Sequence, residues 1–228
     1  MAAWQQERVV IGIDEVGRGC LAGPVVAAAV ILPINKASRM LKDSKLMTPE
    51  ERQVAFQWIA KHCFYGVGIA HHRLIDQHNI RQATFIAMKR ALLNVLESSR
   101  LSPSAVLVDA MPLNLSDTAF FDIPVHHFNY GETKSSSIAA ASIVAKVTRD
   151  AMMELFDAAL PGYVWAENKG YGTAAHKIAL QKQDRSIVHR LSFLRGALDE
   201  KDEVQQLSLN RAHSDTSTLL SSKHPPGL

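Results

Sequence analysis

Cysteine is scarce: Cys20 and Cys63 are the only two in 228 residues, and they form neither a CxxC pair nor a zinc-type spacing. No disulfide is needed, and two reduced thiols in a cytosolic protein are expected. A long apolar run is also missing. The longest, Leu21 to Pro33, is interrupted by Gly23 and Pro24 and is short of the ~20 residues a membrane-spanning helix needs, so it reads as a buried strand. The opening MAAWQQERVV has no basic start followed by an apolar stretch, so export is not expected and the cytoplasm is. Charge of one sign is lacking too, with 25 Lys and Arg against 22 Asp and Glu, a formal net charge of +3. Global charge therefore does not announce a nucleic-acid protein; at most a local basic surface is available.

What remains is ample for a core: 47% of residues are hydrophobic, and the length suits one domain with a helical appendage. VVIGIDE (9 to 15) and PVVAAAVIL (24 to 32) are β-branched runs separated by glycine-rich GRGCLAG, which predicts two adjacent strands and a turn. Thr48-Pro49-Glu50-Glu51 is a helix start, with the helix running to about Lys61 and a third strand over Cys63 to Ala70. Phe85, Met88, Leu92 and Val95/Leu96 recur at helical spacing within Asn79 to Ser98. AVLVD (105 to 109) and PVHHFN (124 to 129) predict strands four and five. A long helix is expected through SIAAASIVAKVTRDAMMELF, closed by Pro161-Gly162, then a helix over 174 to 183 and order to about Ala197. Residues 1 to 197 are thus the expected folded domain, C-terminal helices included. The polar, unpatterned residues 198 to 228 are the expected disordered tail.

Four acids stand at strand ends or just beyond: Asp14, Glu15, Asp109 and Glu132. Carboxylates suit hard cations such as Mg²⁺ or Mn²⁺. Taken singly, each is more simply a solvated loop or capping acid. Asp14 and Glu15 can serve one site only if regular pleating ends there, because strand neighbours face opposite ways; Gly17-Arg18-Gly19 follows and can supply that break. His71-His72 and His126-His127 are read as strand neighbours pointing apart, with no partner to complete a zinc site. Lys146 and Arg149, on the alanine-rich helix, are expected at the surface or facing phosphate.

IGIDEVGRGCLAGPVVAAAVIL closely resembles the opening signature of bacterial ribonuclease HII. LKDSKLMTPEER, LIDQHNI, VLVDA, SIAAASIVAKVTRD, PGY with NKGYGT, and HRLSF resemble further segments of that family, in order, over roughly residues 9 to 195. The resemblance implies an α/β fold of ribonuclease H type, a mixed five-stranded sheet flanked by helices with a C-terminal helical extension. It also implies a metal-dependent endoribonuclease that hydrolyses the RNA strand of RNA–DNA hybrids and cuts 5′ to ribonucleotides embedded in duplex DNA. Two-metal-ion catalysis would leave 3′-hydroxyl and 5′-phosphate ends.

By the same resemblance, Asp14, Glu15 and Asp109 match the family's metal-binding acids, and Glu132 falls where its fourth acid is usually aspartate. Gly17, Arg18 and Gly19 would recognise ribose 2′-hydroxyls. Tyr171 would pack on the deoxyribose beyond the junction, and Lys45 would approach the backbone. Leu46, Ala110-Met111 and Asn168 depart from the pattern, from a usual second lysine, Gly-Asn and His respectively. A catalytically weakened hybrid-binding protein and a small-molecule phosphoesterase are the alternatives; the Gly-Arg-Gly turn and the Tyr171 loop argue against the second. Gln206-Leu207-Ser208-Leu209-Asn210 resembles a sliding-clamp peptide without its final aromatic. A weak clamp contact is the one protein partner suggested, with chance the plainer account, and a monomer is expected.

Overall fold

The computed structural model describes residues 9–33, 40–42 and 44–194. The expected domain boundary near 197, the tail and the clamp-like peptide lie outside them. The chain divides into two units, Met1–Arg190 and Leu191–Leu228; of the second, only a helical turn over 191–194 is described.

In the first unit, strands β1 (Val10–Val16), β2 (Val25–Ile31), β3 (Phe64–Ala70), β4 (Ala105–Asp109) and β5 (Val125–Phe128) form one sheet in the order β3-β2-β1-β4-β5. β1 pairs antiparallel with β2 and parallel with β4, so the sheet is mixed as expected. Every residue of β2 is buried, which is why its sequence is continuously apolar instead of alternating. Helix α1 (Pro49–His62) starts with a complete capping box between Thr48 and Glu51.

Helix α2 (His72–Ser99) begins seven residues before the expected Asn79, and Asn79 itself is non-helical, with φ 67°. Its side-chain oxygen accepts from the backbone N–H of Arg81 and Gln82. The helix therefore restarts there, and residues 72–78 before it lack the apolar stripe that marked the rest. His71 and His72 are consequently the N-cap and first residue of α2, a correction to their reading as strand neighbours.

After the one-turn helix α3 (Gly131–Lys134) comes α4 (Ser136–Ala159), which lies on β1 and β2. Small residues permit very close approach: a Cβ added to Gly12 would stand 2.1 Å from the Ser137 carbonyl carbon. Helices α5 (Trp165–Asn168) and α6 (Ala174–Gln183) follow. With the end of α4 they enclose a second apolar cluster of Ala22, Met153, Tyr163, Trp165, Ala179 and Val188. This is the expected helical extension, and it carries the Tyr171 loop on a core of its own.

Candidate active site at the ends of β1 and β4

The parallel ladder between β1 and β4 runs from Val10↔Ala105 to Ile13↔Val108. One further step of that register sets Asp14 beside Asp109, on strands that lie ~4.8 Å apart. The expected break in pleating at Asp14-Glu15 is not found; β1 stays paired with β2 through Val16↔Val26, and the glycine turn starts only beyond that pair. Glu15 nevertheless lies within the field of Asp109, at the edge where β4 has ended.

Burial first, and neighbouring acids second, raise the proton affinity of all three acids. Burial pushes Asp14 well above the ordinary aspartate range, and Glu15 and Asp109 add to it. Burial likewise raises Glu15 against the opposing pull of Arg18, whose Nη1 stands 3.2 Å from Glu15 Oε1. Burial raises Asp109 despite a 2.7 Å hydrogen bond donated to its Oδ1 by Gly131 N–H. Asp14 is steadied by the Ser142 hydroxyl of α4, itself 2.8 Å from the buried hydroxyl of Ser44. Arg52 donates to the carbonyls of Ser44 and Met47 and so fixes that segment.

Glu132 enters on α3 and is buried. Burial pushes its carboxyl up, but its own backbone N–H and Lys45 outweigh that and hold it below its ordinary value. Lys45 Nζ reaches Glu132 Oε1 at 3.1 Å, although the lysine side chain is 75% exposed. Leu46, beside it, faces solvent.

Buried oxygens without partners, Glu15 Oε2 and Glu132 Oε2, and an excess of mutually repelling carboxyls fit a hard cation. Among the described residues, however, no three His, Cys, Asp or Glu side chains stand close enough to hold an ion as they are. Arg18 and Lys45 draw Glu15 and Glu132 towards themselves, so the acids meet as neighbours, not as a finished cage.

Gly17, at φ +90°, is buried and would place a Cβ 2.1 Å from Arg149 Nε, so only glycine fits. Arg18 is partly exposed and Gly19 is exposed with open space around it. Tyr171 is 40% exposed, and Cys20 pairs with it as an isolated antiparallel bridge. The Gly-Arg-Gly turn and the Tyr171 loop are therefore one connected surface. His126 and His127 lie on β5 with their side chains exposed.

Sequence reasoning missed what holds that surface. Arg149 is fully buried, not at the surface as expected. It donates to the carbonyls of Pro24, Ala22 and Lys169, with its guanidinium carbon 5.9 Å from the Tyr171 ring centroid. Arg190 is equally buried and donates to Gly17, Arg18 and Gly23. Burial lowers its guanidinium to about 10, so it stays charged at neutral pH. Beneath Tyr171, His176 and His189 meet at 2.9 Å through their Nε2 atoms. The signal existed in KVTRD and HRLSF, but arginine is so seldom buried that composition argued the other way.

With this geometry in view, comparison with known proteins is decisive: the family model for ribonuclease HII matches residues 11–195. The chain belongs to the ribonuclease HII family. A ribonuclease HII of Listeria monocytogenes serotype 4b is 46% identical over 190 residues, covering 83% of this chain and 69% of that protein. Among solved structures, ribonuclease HII of Archaeoglobus fulgidus, in its complex with PCNA, is 23% identical with a TM-score of 0.65, covering 80% of this chain and 94% of the other. Bst-RNase HIII in complex with Mn²⁺ is 22% identical with a TM-score of 0.66, covering 86% and 72%. Those two establish the fold alone. Membership in ribonuclease HII makes the chain an endoribonuclease, a hydrolase of RNA phosphodiester bonds of the type that acts on RNA–DNA hybrids. Among the described residues no helix is long and apolar enough to cross a membrane.

Proposed function

We propose that this ribonuclease HII family member uses two divalent cations to hydrolyse the RNA strand of RNA–DNA hybrids and to cut 5′ to ribonucleotides embedded in duplex DNA, leaving 3′-hydroxyl and 5′-phosphate ends. The observation that supports this reading is that the parallel ladder of β1 with β4 ends one residue short of Asp14 and Asp109, with Asp14 in the field of Asp109. Asp14, Glu15, Asp109 and Glu132 would hold Mg²⁺ or Mn²⁺; when bound, such ions supply an activated water and neutralise charge on the scissile phosphate. Burial, with neighbouring acids adding to it, raises Asp14 and Asp109, and a bound cation would supply the counter-charge that lets them ionise.

The chain's own groups would supply recognition. Gly17, Arg18 and Gly19 present backbone to ribose 2′-hydroxyls, the group that distinguishes RNA from DNA. The exposed ring of Tyr171 packs on the neighbouring deoxyribose, and Lys45 exchanges Glu132 for the substrate backbone. The setting would be cytoplasmic ribonucleotide repair and primer removal by a monomer, with a weak sliding-clamp contact through Gln206, Leu207, Ser208 and Leu209. The PCNA complex of the Archaeoglobus relative lends that contact its support.

The test is cleavage of a DNA duplex carrying one ribonucleotide, with Mg²⁺ and with Mn²⁺, by wild type and Asp14→Asn. Incision at the ribonucleotide by wild type and none by the variant is expected. A wild type that leaves the duplex intact with both metals overturns the assignment; tight hybrid binding without turnover would point to a hybrid-binding protein instead.

A further inference from the structure

The turn that would read the ribose has no regular secondary structure to hold it. Its second half is bridged to Tyr171 and His189 and held by Arg149, but the carbonyls of Gly17 and Arg18 are captured by one side chain from the far end of the unit. Arg190 Nη2 donates to Gly17 O at 2.7 Å, Nη1 to Arg18 O at 2.8 Å and Nε to Gly23 O at 2.9 Å, the guanidinium being wholly buried. Three of its N–H directions thus clasp the two ends of a seven-residue turn. Only a planar fork with fixed donor directions can make that set of bonds; a lysine ammonium cannot.

The consequence follows from peptide geometry. In a trans peptide unit the carbonyl and the following N–H point in opposite directions, and cis bonds are absent among the described residues. With the carbonyls of Gly17 and Arg18 both turned inward to Arg190, the amide N–H groups of Arg18 and Gly19 are turned the other way. Gly19 is exposed and has nothing within 4 Å of a would-be Cβ, so that outer side is open to a large ligand. Glycine at 17 and 19 allows the shape, but many shapes are open to glycine; the buried guanidinium selects one.

We propose that Arg190 is a specificity-positioning residue: by capturing the carbonyls of Gly17 and Arg18 it aims the Arg18 and Gly19 amides outward as a paired donor for a ribose hydroxyl. Arg190 never touches substrate. Its effect is therefore on discrimination between ribose and deoxyribose, and not on cation binding at Asp14 and Asp109. This rests on the proposed function, because it assigns the source of that site's preference.

The experiment measures binding without divalent metal, to a duplex with one ribonucleotide and to the same duplex in DNA alone, for wild type and Arg190→Lys. Wild type should prefer the ribonucleotide duplex. In the lysine variant, with Mn²⁺ binding by calorimetry unchanged, that preference should shrink roughly ten-fold, about what losing one or two well-aimed hydrogen bonds costs. Equal preference in both proteins overturns the role of Arg190 while leaving the enzyme assignment intact. No preference in wild type removes the ribose-reading site itself, and the inference with it. Should the variant not fold, amide exchange in wild type decides: the Arg18 and Gly19 amides are protected by the ribonucleotide duplex and not by DNA, and unchanged exchange rejects the proposal.

Discussion

Lys45 and Glu132, 87 residues apart, meet at 3.1 Å, so an exposed ammonium partners a buried carboxylate at the edge of the acidic cluster. On the proposed reading of Glu132 as a metal-holding acid, an incoming cation would compete with that ammonium for it. Replacing Lys45 with methionine should tighten Mn²⁺ binding to the nucleic-acid-free protein by roughly two- to five-fold, a modest factor because the lysine is largely solvated. Calorimetric titration measures it, and weaker binding in the variant would show that Lys45 helps shape the site instead of competing for it.

Asp14 makes a different demand. Its carboxyl is raised by burial and by Glu15 and Asp109, so ionising it in the metal-free fold works against stability. A folded value above the unfolded one means the contribution is present below pH ~4 and lost as pH rises through the folded value. Asp14→Asn, which keeps the oxygen that accepts from Glu15 N–H, should therefore melt higher than wild type at neutral pH without metal. A chain of this size gains about 2–4 °C per kcal/mol. Wild type should overtake it, or at least close the gap, when Mn²⁺ is added. Melting curves by circular dichroism, with and without metal, report both; a lower metal-free midpoint for the variant counts against uncompensated repulsion.

The histidine pair under the Tyr171 loop should make the fold acid-sensitive. His176 Nδ1 faces the Tyr171 carbonyl at 2.9 Å and so must carry a proton, leaving its Nε2 to accept from His189 Nε2. His189 Nδ1 in turn accepts from Ser186 N–H. Both rings are neutral in this chain of bonds. Burial lowers His189 to about 4 and lowers His176 as well. Folded values below the unfolded ~6.5 mean that stability is present above pH 6.5 and lost as pH falls from there towards 4, by about 3 kcal/mol for His189 at the limit. Unfolding midpoints between pH 7.5 and 4.5 should show that fall, and His189→Asn should flatten it.

Gly12 is where helix and sheet touch. An added Cβ would press on the Ser137 and Ile138 backbone at 2.1 and 2.4 Å, which no rotamer change relieves. Gly12→Ala should destabilise the chain by about 3 kcal/mol or more. Because it lies two residues before Asp14 and beneath the helix bearing Ser142, cleavage should fall too. Urea denaturation and the cleavage assay test the two effects; a near-native midpoint would mean that α4 can lift from β1.

Much of this architecture could be read from residue order. The β-branched runs marked all five strands because each is short and flanked by turn formers, and Thr48 to Glu51 announced α1 through a cap that needs no tertiary partner. The acids of β1 and β4 were legible as strand-end carboxylates. What was hidden depends on contacts between segments, most of them more than a hundred residues apart and one, His176 with His189, only 13. Nothing local tells that Arg149 and Arg190 are buried under backbone carbonyls, that Ser142 reaches Asp14, or that His176 pairs with His189. Residues 72–78 of α2 were missed for a local reason: the apolar spacing that marks the helix begins only after Asn79, where the backbone leaves the helical region.

The clasp on the Gly17 to Gly23 turn also orders events in time. Its donor is encoded 167 residues after Gly23, the last of the three carbonyls it holds. During synthesis the amino-terminal strands emerge first, but that turn lacks its guanidinium until nearly the whole unit has left the ribosome. On the proposed role of Arg190, a polypeptide short of that residue would carry Asp14, Glu15 and Asp109 without the guanidinium that holds the Gly17 and Arg18 carbonyls.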